Sequence, residues 1–283
     1  MFKFDFDYVH SPDWQPEGCD IEPWFIADAG RVVGPDDFLR SSVCAYRTVK
    51  LDFIRDKLRG VDRVEALKSI VDHVTADAIT EDERYRAIVS FIQRMMVHLM
   101  SEQPMEANAA ELFRGYGGDP PVPQGEPYPE DLEKPWMRLA FEEARSTGAY
   151  LGLWCNPLGV ALDGDWGIGG CVTDALELLM LHEGRCGHQA MVAVQLAQVA
   201  GLRARLVQIN HHRVAEIMAD GKWRLADPDA LAPGFIGVDD DNEAASIEWC
   251  IENYEKLREW PLGISLNSVP GCDGYHWFFK LSD

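Results

Sequence analysis

The chain has 283 residues, enough for one large domain or two small ones, and its 47% apolar and 10% aromatic content can bury a substantial core. Its 47 acidic against 26 basic side chains give a formal net charge of −21, which repels phosphate backbones and argues against nucleic acid as a partner. The simplest reading of that acidity is solubility, although it would also concentrate amines or basic peptides near the surface.

No run of about 18 apolar residues occurs, so no membrane partner is expected. The opening MFKFDFDYVH carries acids where a secretory leader needs a basic start and an apolar run. Cysteines stand at Cys19, Cys44, Cys155, Cys171, Cys186, Cys250 and Cys272, with no C-x-x-C pair. They read as reduced thiols packed as small hydrophobes, and a cytoplasmic location is the expectation. Residues 1–48, punctuated by Pro12, Pro16, Gly18, Pro23 and Gly34, read as short strands and loops. Helices follow over 49–100. Val49, Leu51, Phe53, Ile54 and Leu58 suggest one, and Val64, Leu67, Ile70, Val71 and Val74 mark the face of a second. Thr80 with Glu83 resembles a capping box opening a third, its face formed by Tyr85, Ile88, Val89, Ile92, Met95 and Met96. Residues 115–130 are too rich in Pro and Gly for regular structure. A further helix is expected over about 131–148, then a loop holding Gly164, Gly167, Gly169 and Gly170. This divides the chain into a mixed, largely helical region over 1–130, a core over 131–235 and a C-terminal extension over 236–283.

Residues 172–229 carry the chemistry. Thr173 or Asp174 can cap a helix through Leu176, Leu179 and Met180 that ends near Gly184. Gly184-Arg185-Cys186-Gly187-His188 leads into a helix-length apolar run that Gly201 terminates. Apolar residues surround this helix rather than forming a stripe, so it should be buried, with Cys186 at its N-terminus. The macrodipole there favours a thiolate, although Cys186 reads equally well as an ordinary thiol at a helix start. Gly184 and Gly187 would permit tight chain entry and close approach of a substrate backbone. Leu202–Gln208 reads as a strand, and the next segment as a hairpin turning at Asp220-Gly221. Counted outward from that turn, Val214 faces Asp227. His212 then shares the face of Val214 and lies diagonal to Asp227, whereas His211 points to the other side. Asp229, opposite His212 in the same register, is the competing acid. With Cys186 upstream, His212 and Asp227 complete a nucleophile–base–orienter set.

The ordered pattern Gly184, Cys186, Ala190, Gly201, Leu202, Ala204, Arg205, His212, Glu216, Gly221, Trp223, Asp227 and Pro228 resembles the transglutaminase-like superfamily. Gly184-Arg185-Cys186-Gly187 is also similar to peptide:N-glycanases, whose zinc-binding Cys pairs are absent here. The likeness covers about 60 residues. It departs at Val214, where the family carries an aromatic. The resemblance implies an α+β, papain-like core with Cys186 on a buried helix packed against an antiparallel sheet that carries His212 and Asp227. It also implies acyl transfer from an amide, ester or thioester through a thioester on Cys186, with Trp223 and His188 near the substrate. The Cys186 backbone N–H is the first oxyanion donor. No Gln lies between Gln124 and Gln189 to serve as a second, and the resemblance suggests the indole of Trp154 or Trp166.

Other motifs fail. His182, Glu183 and His188 are spaced H-E-x-x-x-x-H, so the two His do not share a helix face as a zinc site needs. Asp239, Asp240, Asp241 and Glu243 lack the Gly and terminal Glu of a calcium loop. Neither a metal nor any other cofactor is expected. Three readings remain: a thiol protease or amidase acting on a peptide, protein or small acyl substrate; a transglutaminase or amide-bond synthase with an amine acceptor; and a non-catalytic binding protein of the same fold. Hydrolysis is the favoured one.

Overall fold

The computed structural model describes residues 2–8, 53–98, 174–184, 186–209, 212–263 and 273–279. Expectations for 9–52, 99–173 and 264–272 lie outside these residues. After a helical segment over 53–57, helix α1 (Arg63–Val74) begins where the Asp62 side chain accepts from Glu65 N–H. It buries Ala66, Leu67, Ile70 and Val71, while Val64 is 44% exposed. The apolar face is therefore rotated away from Val64, because Ala66 fills the turn below Ile70 instead.

Helix α2 (Glu81–Met95) opens with the expected capping box. Thr80 Oγ1 accepts from Glu83 N–H at 3.1 Å, and the Glu83 carboxylate accepts from Thr80 N–H at 2.9 Å. All six expected face residues from Tyr85 to Met96 are buried, and the Tyr85 hydroxyl donates to the Leu225 carbonyl, tying this helix to the sheet. Strand β1 (Val97–His98) follows. Asp174 caps helix α3 (Ala175–Leu181), which stops with His182 in the left-handed region at φ 58°. That end falls before the expected Gly184, because Glu183–Gly184 leave the helix as strand β2 and pair in parallel with β1.

Helix α4 (Cys186–Val199) is the central element, packing against α1, α2 and α3 on one side and the main sheet on the other. Gln189, Ala190 and the run Val192–Ala197 are buried, as a helix apolar all round requires. Gly201 at φ +80° ends it, and Leu202 N–H returns to the Ala197 carbonyl.

The antiparallel sheet is ordered β3 (Ala204–Ile209), β4 (His212–Ala219), β5 (Lys222–Ala226). Asp220 and Gly221 have φ of 50° and 75°, the two positive values that a tight two-residue hairpin needs. Ala219 pairs with Lys222 and Met218 with Trp223, as counted. On the face shared by His212, the Arg205–Glu216 ion pair is buried to 1% exposure on both sides, with Arg205 3.8 Å from the Trp223 ring. Glu216 also accepts from Ile247 N–H at 3.0 Å. Helix α5 (Ile247–Glu252) and the 3₁₀ turns Tyr254–Glu259 and Tyr275–Phe278 thus cover that face. The described architecture is α+β. No helix among the described residues is long and apolar enough to cross a membrane.

Candidate active site

Three elements meet at the start of β4, the central strand of the sheet. Cys186 is the first residue of α4 and is half-buried, so its sulfur stands beside the unsatisfied N–H groups of the helix start. His212 is the first residue of β4, and Asp227 is the residue after β5. His212 Nε2 meets Asp227 Oδ2 at 2.7 Å, both side chains being 3% exposed or less. That contact leaves Nδ1 as the ring nitrogen on the Cys186 side, and the Cys186 sulfur lies within 4.8 Å of a ring nitrogen, where it favours the protonated ring.

Asp227 is fully satisfied. Its Oδ1 accepts from Ala230 N–H at 3.0 Å and Asp229 N–H at 3.3 Å, and its Oδ2 also accepts from the Tyr275 hydroxyl at 2.7 Å. Burial disfavours the carboxylate, but the His212 charge, its hydrogen bond and the Tyr275 and Ala230 donors outweigh burial and hold Asp227 below the usual range. Burial likewise disfavours the imidazolium. The charge and hydrogen bond of Asp227, with Cys186 adding to them, reverse that and raise His212 well above 6.5. At neutral pH the site therefore holds a protonated ring, locked in plane by a carboxylate, against a half-exposed sulfur. Such a pair can deliver a sulfur nucleophile and return a proton to a leaving group. Cys250 is the contrasting thiol: it is fully buried, and burial together with Glu216 and Asp227 pushes its pKa well up.

The remaining sequence-derived residues divide. Asp229 does not bond His212 in the manner of Asp227; its Oδ1 accepts from Gln189 Nε2 at 2.7 Å. It nevertheless joins the cluster, since Cys186 Sγ, a His212 nitrogen and an Asp229 oxygen lie within 4.8 Å of one another. His188 is half-buried in the first turn of α4. Gly184 is buried, and a Cβ there would stand 2.8 Å from His188 Cβ and 2.9 Å from Met96 Cε. Its requirement is therefore packing room rather than approach of a substrate. At Gly187 a Cβ would meet Arg213 Cδ at 3.2 Å. Trp223 is corrected as a substrate neighbour. It pairs with Met218 by the turn, four residues or about 13 Å along the strand from Asp227, and its ring lies on Arg205. Trp154, Trp166 and His211 lie outside the described residues. Two residues that no motif marks also reach the site: Tyr275 bonds Asp227, and the Phe278 ring packs 4.4 Å from His212. Their distance along the chain left no local signal for this.

No family model matches the chain, and no curated protein matches it. A solved structure described as a TGase is similar over 71% of this chain at 12% identity, with a TM-score of 0.29. The match spans 41% of that protein's length. Similarity this slight fixes neither fold nor chemistry, and the site stands on its own geometry.

Proposed function

We propose that the chain is a transglutaminase-like thiol acyl-transfer enzyme that hydrolyses an amide or peptide bond, with Cys186 as nucleophile, His212 as acid and base, and Asp227 as orienter. The observation that carries this is the His212 ring bonded to the Asp227 carboxylate and lying within 4.8 Å of the Cys186 sulfur, buried on the carboxylate side and half-open on the sulfur side. The Cys186 sulfur attacks the substrate carbonyl, and the Cys186 backbone N–H faces the developing oxyanion. His212 gives its proton to the departing amine, leaving a thioester on Cys186. Water then attacks the thioester, His212 takes the water proton, and collapse frees the acid and expels the Cys186 sulfur as thiolate beside the reprotonated ring. Asp227 holds the ring and offsets its charge throughout.

Asp229 supports a second reading. A carboxylate within 4.8 Å of the nucleophile can position an amine acceptor; the neutral amine attacks the thioester, His212 takes its proton, and the Cys186 thiolate leaves, giving an amide. Mass spectrometry after incubation with an activated acyl ester should find one acyl group on Cys186. Quantifying acid and amide products with increasing primary amine then separates the readings. Acylation of other residues with Cys186 untouched would end both, and near-complete amide at millimolar amine would overturn hydrolysis in favour of transfer.

A further inference from the structure

The cluster at the head of α4 has a property beyond nucleophilic chemistry. Cys186 Sγ, a His212 ring nitrogen and an Asp229 carboxylate oxygen all lie within 4.8 Å of one another. They come from three elements, a helix start, a strand start and the loop after β5, so no short sequence motif announces them. A tetrahedral zinc ion holds sulfur at about 2.3 Å and nitrogen or oxygen at about 2.0–2.2 Å, which sets ligand atoms roughly 3.5 Å apart. The three donors need to close by little more than about an ångström, within reach of side-chain rotation.

Two outer contacts are already built. Asp227 Oδ2 bonds His212 Nε2 at 2.7 Å, the carboxylate–imidazole arrangement that orients a metal-ligating ring and leaves Nδ1 for the metal. Gln189, itself 1% exposed, bonds Asp229 Oδ1 at 2.7 Å, which holds that carboxylate beside the head of α4. The buried Gln189 Oε1 has no hydrogen-bond partner, so a water in the metal's fourth position has a ready acceptor nearby.

From these contacts we infer that Cys186, His212 and Asp229 form a reversible site for a thiophilic divalent cation of the Zn²⁺ class, and that its occupancy switches the thiol off. One thiolate, one imidazole and one carboxylate suit zinc, whereas calcium and magnesium prefer all-oxygen shells. Three protein ligands leave an open position, so the ion exchanges with a chelator instead of being locked in. The ion ties up the sulfur and the ring nitrogen together, so a loaded molecule has neither a nucleophile nor a proton donor.

The test uses the full chain after chelator treatment. Co²⁺ as a spectroscopic probe should bind at one equivalent, giving a sulfur-to-cobalt charge-transfer band and the intense visible bands of a tetrahedral ion, and Zn²⁺ should bleach both. Zn²⁺ should slow iodoacetamide labelling of Cys186 at least tenfold, EDTA should restore it, and Ca²⁺ or Mg²⁺ should have no effect. Asp229→Asn keeps an acceptor for Gln189 but is a poor ligand, so it should weaken Co²⁺ binding at least tenfold. Co²⁺ uptake without the charge-transfer band, equal labelling with and without Zn²⁺, or unchanged affinity in a folded Asp229→Asn would each overturn the site. The labelling comparison uses the unaltered protein, so it decides even if the variant fails to fold. None of these readouts requires turnover, so they remain interpretable whether or not the chain is an acyl-transfer enzyme.

Discussion

Replacing Asp227 by Asn keeps the shape of the side chain but removes the negative charge that His212 Nε2 contacts at 2.7 Å. Both groups are 3% exposed or less, so water and salt screen the pair little. Removing one partner of such a buried pair costs about 3–5 kcal/mol while the other stays charged. The pH dependence is the sharper signature. In the native protein His212 is raised well above 6.5. Its stabilising contribution is therefore fully present below the unfolded value and is lost as pH rises through the folded one, with a slope approaching about −1.4 kcal/mol per pH unit. In the variant only burial acts strongly, so the folded pKa falls below about 6.5 and stability is instead lost as pH falls. The gap between the two proteins should be widest at the acid end of the range, near about pH 5.5, and should narrow as pH rises. Urea unfolding followed by fluorescence of the nine Trp residues across about pH 5.5–9 measures it. Running both proteins with Cys186→Ser removes the second, smaller source of the His212 shift. Parallel stability curves would refute the buried charge pair.

Tyr275→Phe deletes the hydroxyl that donates to Asp227 Oδ2, and should cost about 1.5–3 kcal/mol by urea unfolding, as expected for a hydrogen bond to a charged group. Arg205→Met leaves Glu216 charged and buried and should cost about 3–5 kcal/mol. Adding Glu216→Leu should recover much of that loss, which a double-mutant cycle would read. Gly184→Ala places a Cβ 2.8 Å from His188 Cβ. It should cost about 1–3 kcal/mol and slow Cys186 alkylation, because the first turn of α4 must shift.

The pairing of His212 with Asp227 was legible because one short signal governed it. Asp220-Gly221 accepts positive φ at both positions, and a period of two then carries the register outward to the site. The burial of α4 and its start at Cys186 were legible for a similar reason: Gly201 and a strongly apolar run of helical length define the helix without tertiary information. Glu183–Gly184 becoming a strand was not, since its partner Val97–His98 lies some 86 positions earlier. The roles of Tyr275 and Phe278 were not legible either, because burial and a role at Asp227 or His212 have the same local sequence signature. Trp223 misled in the opposite sense: its motif position suggested the cleft, whereas its ring lies on Arg205. The Gln189–Asp229 contact joins a helix to a loop 40 residues away, beyond any local pattern.

The fourfold satisfaction of Asp227 also has a consequence in time. A ribosome releases Asp227 48 residues before Tyr275, a lag of roughly 2–10 s at about 5–20 residues per second. Over that interval the helix, the strand and the hairpin can all form, yet the carboxylate still faces water on the side that Tyr275 and Phe278 later close. Solvent then weakens its hold on the His212 ring. The sulfur of a chain still being made is thus spared its full activation, and the later-translated Tyr275–Phe278 turn completes the site.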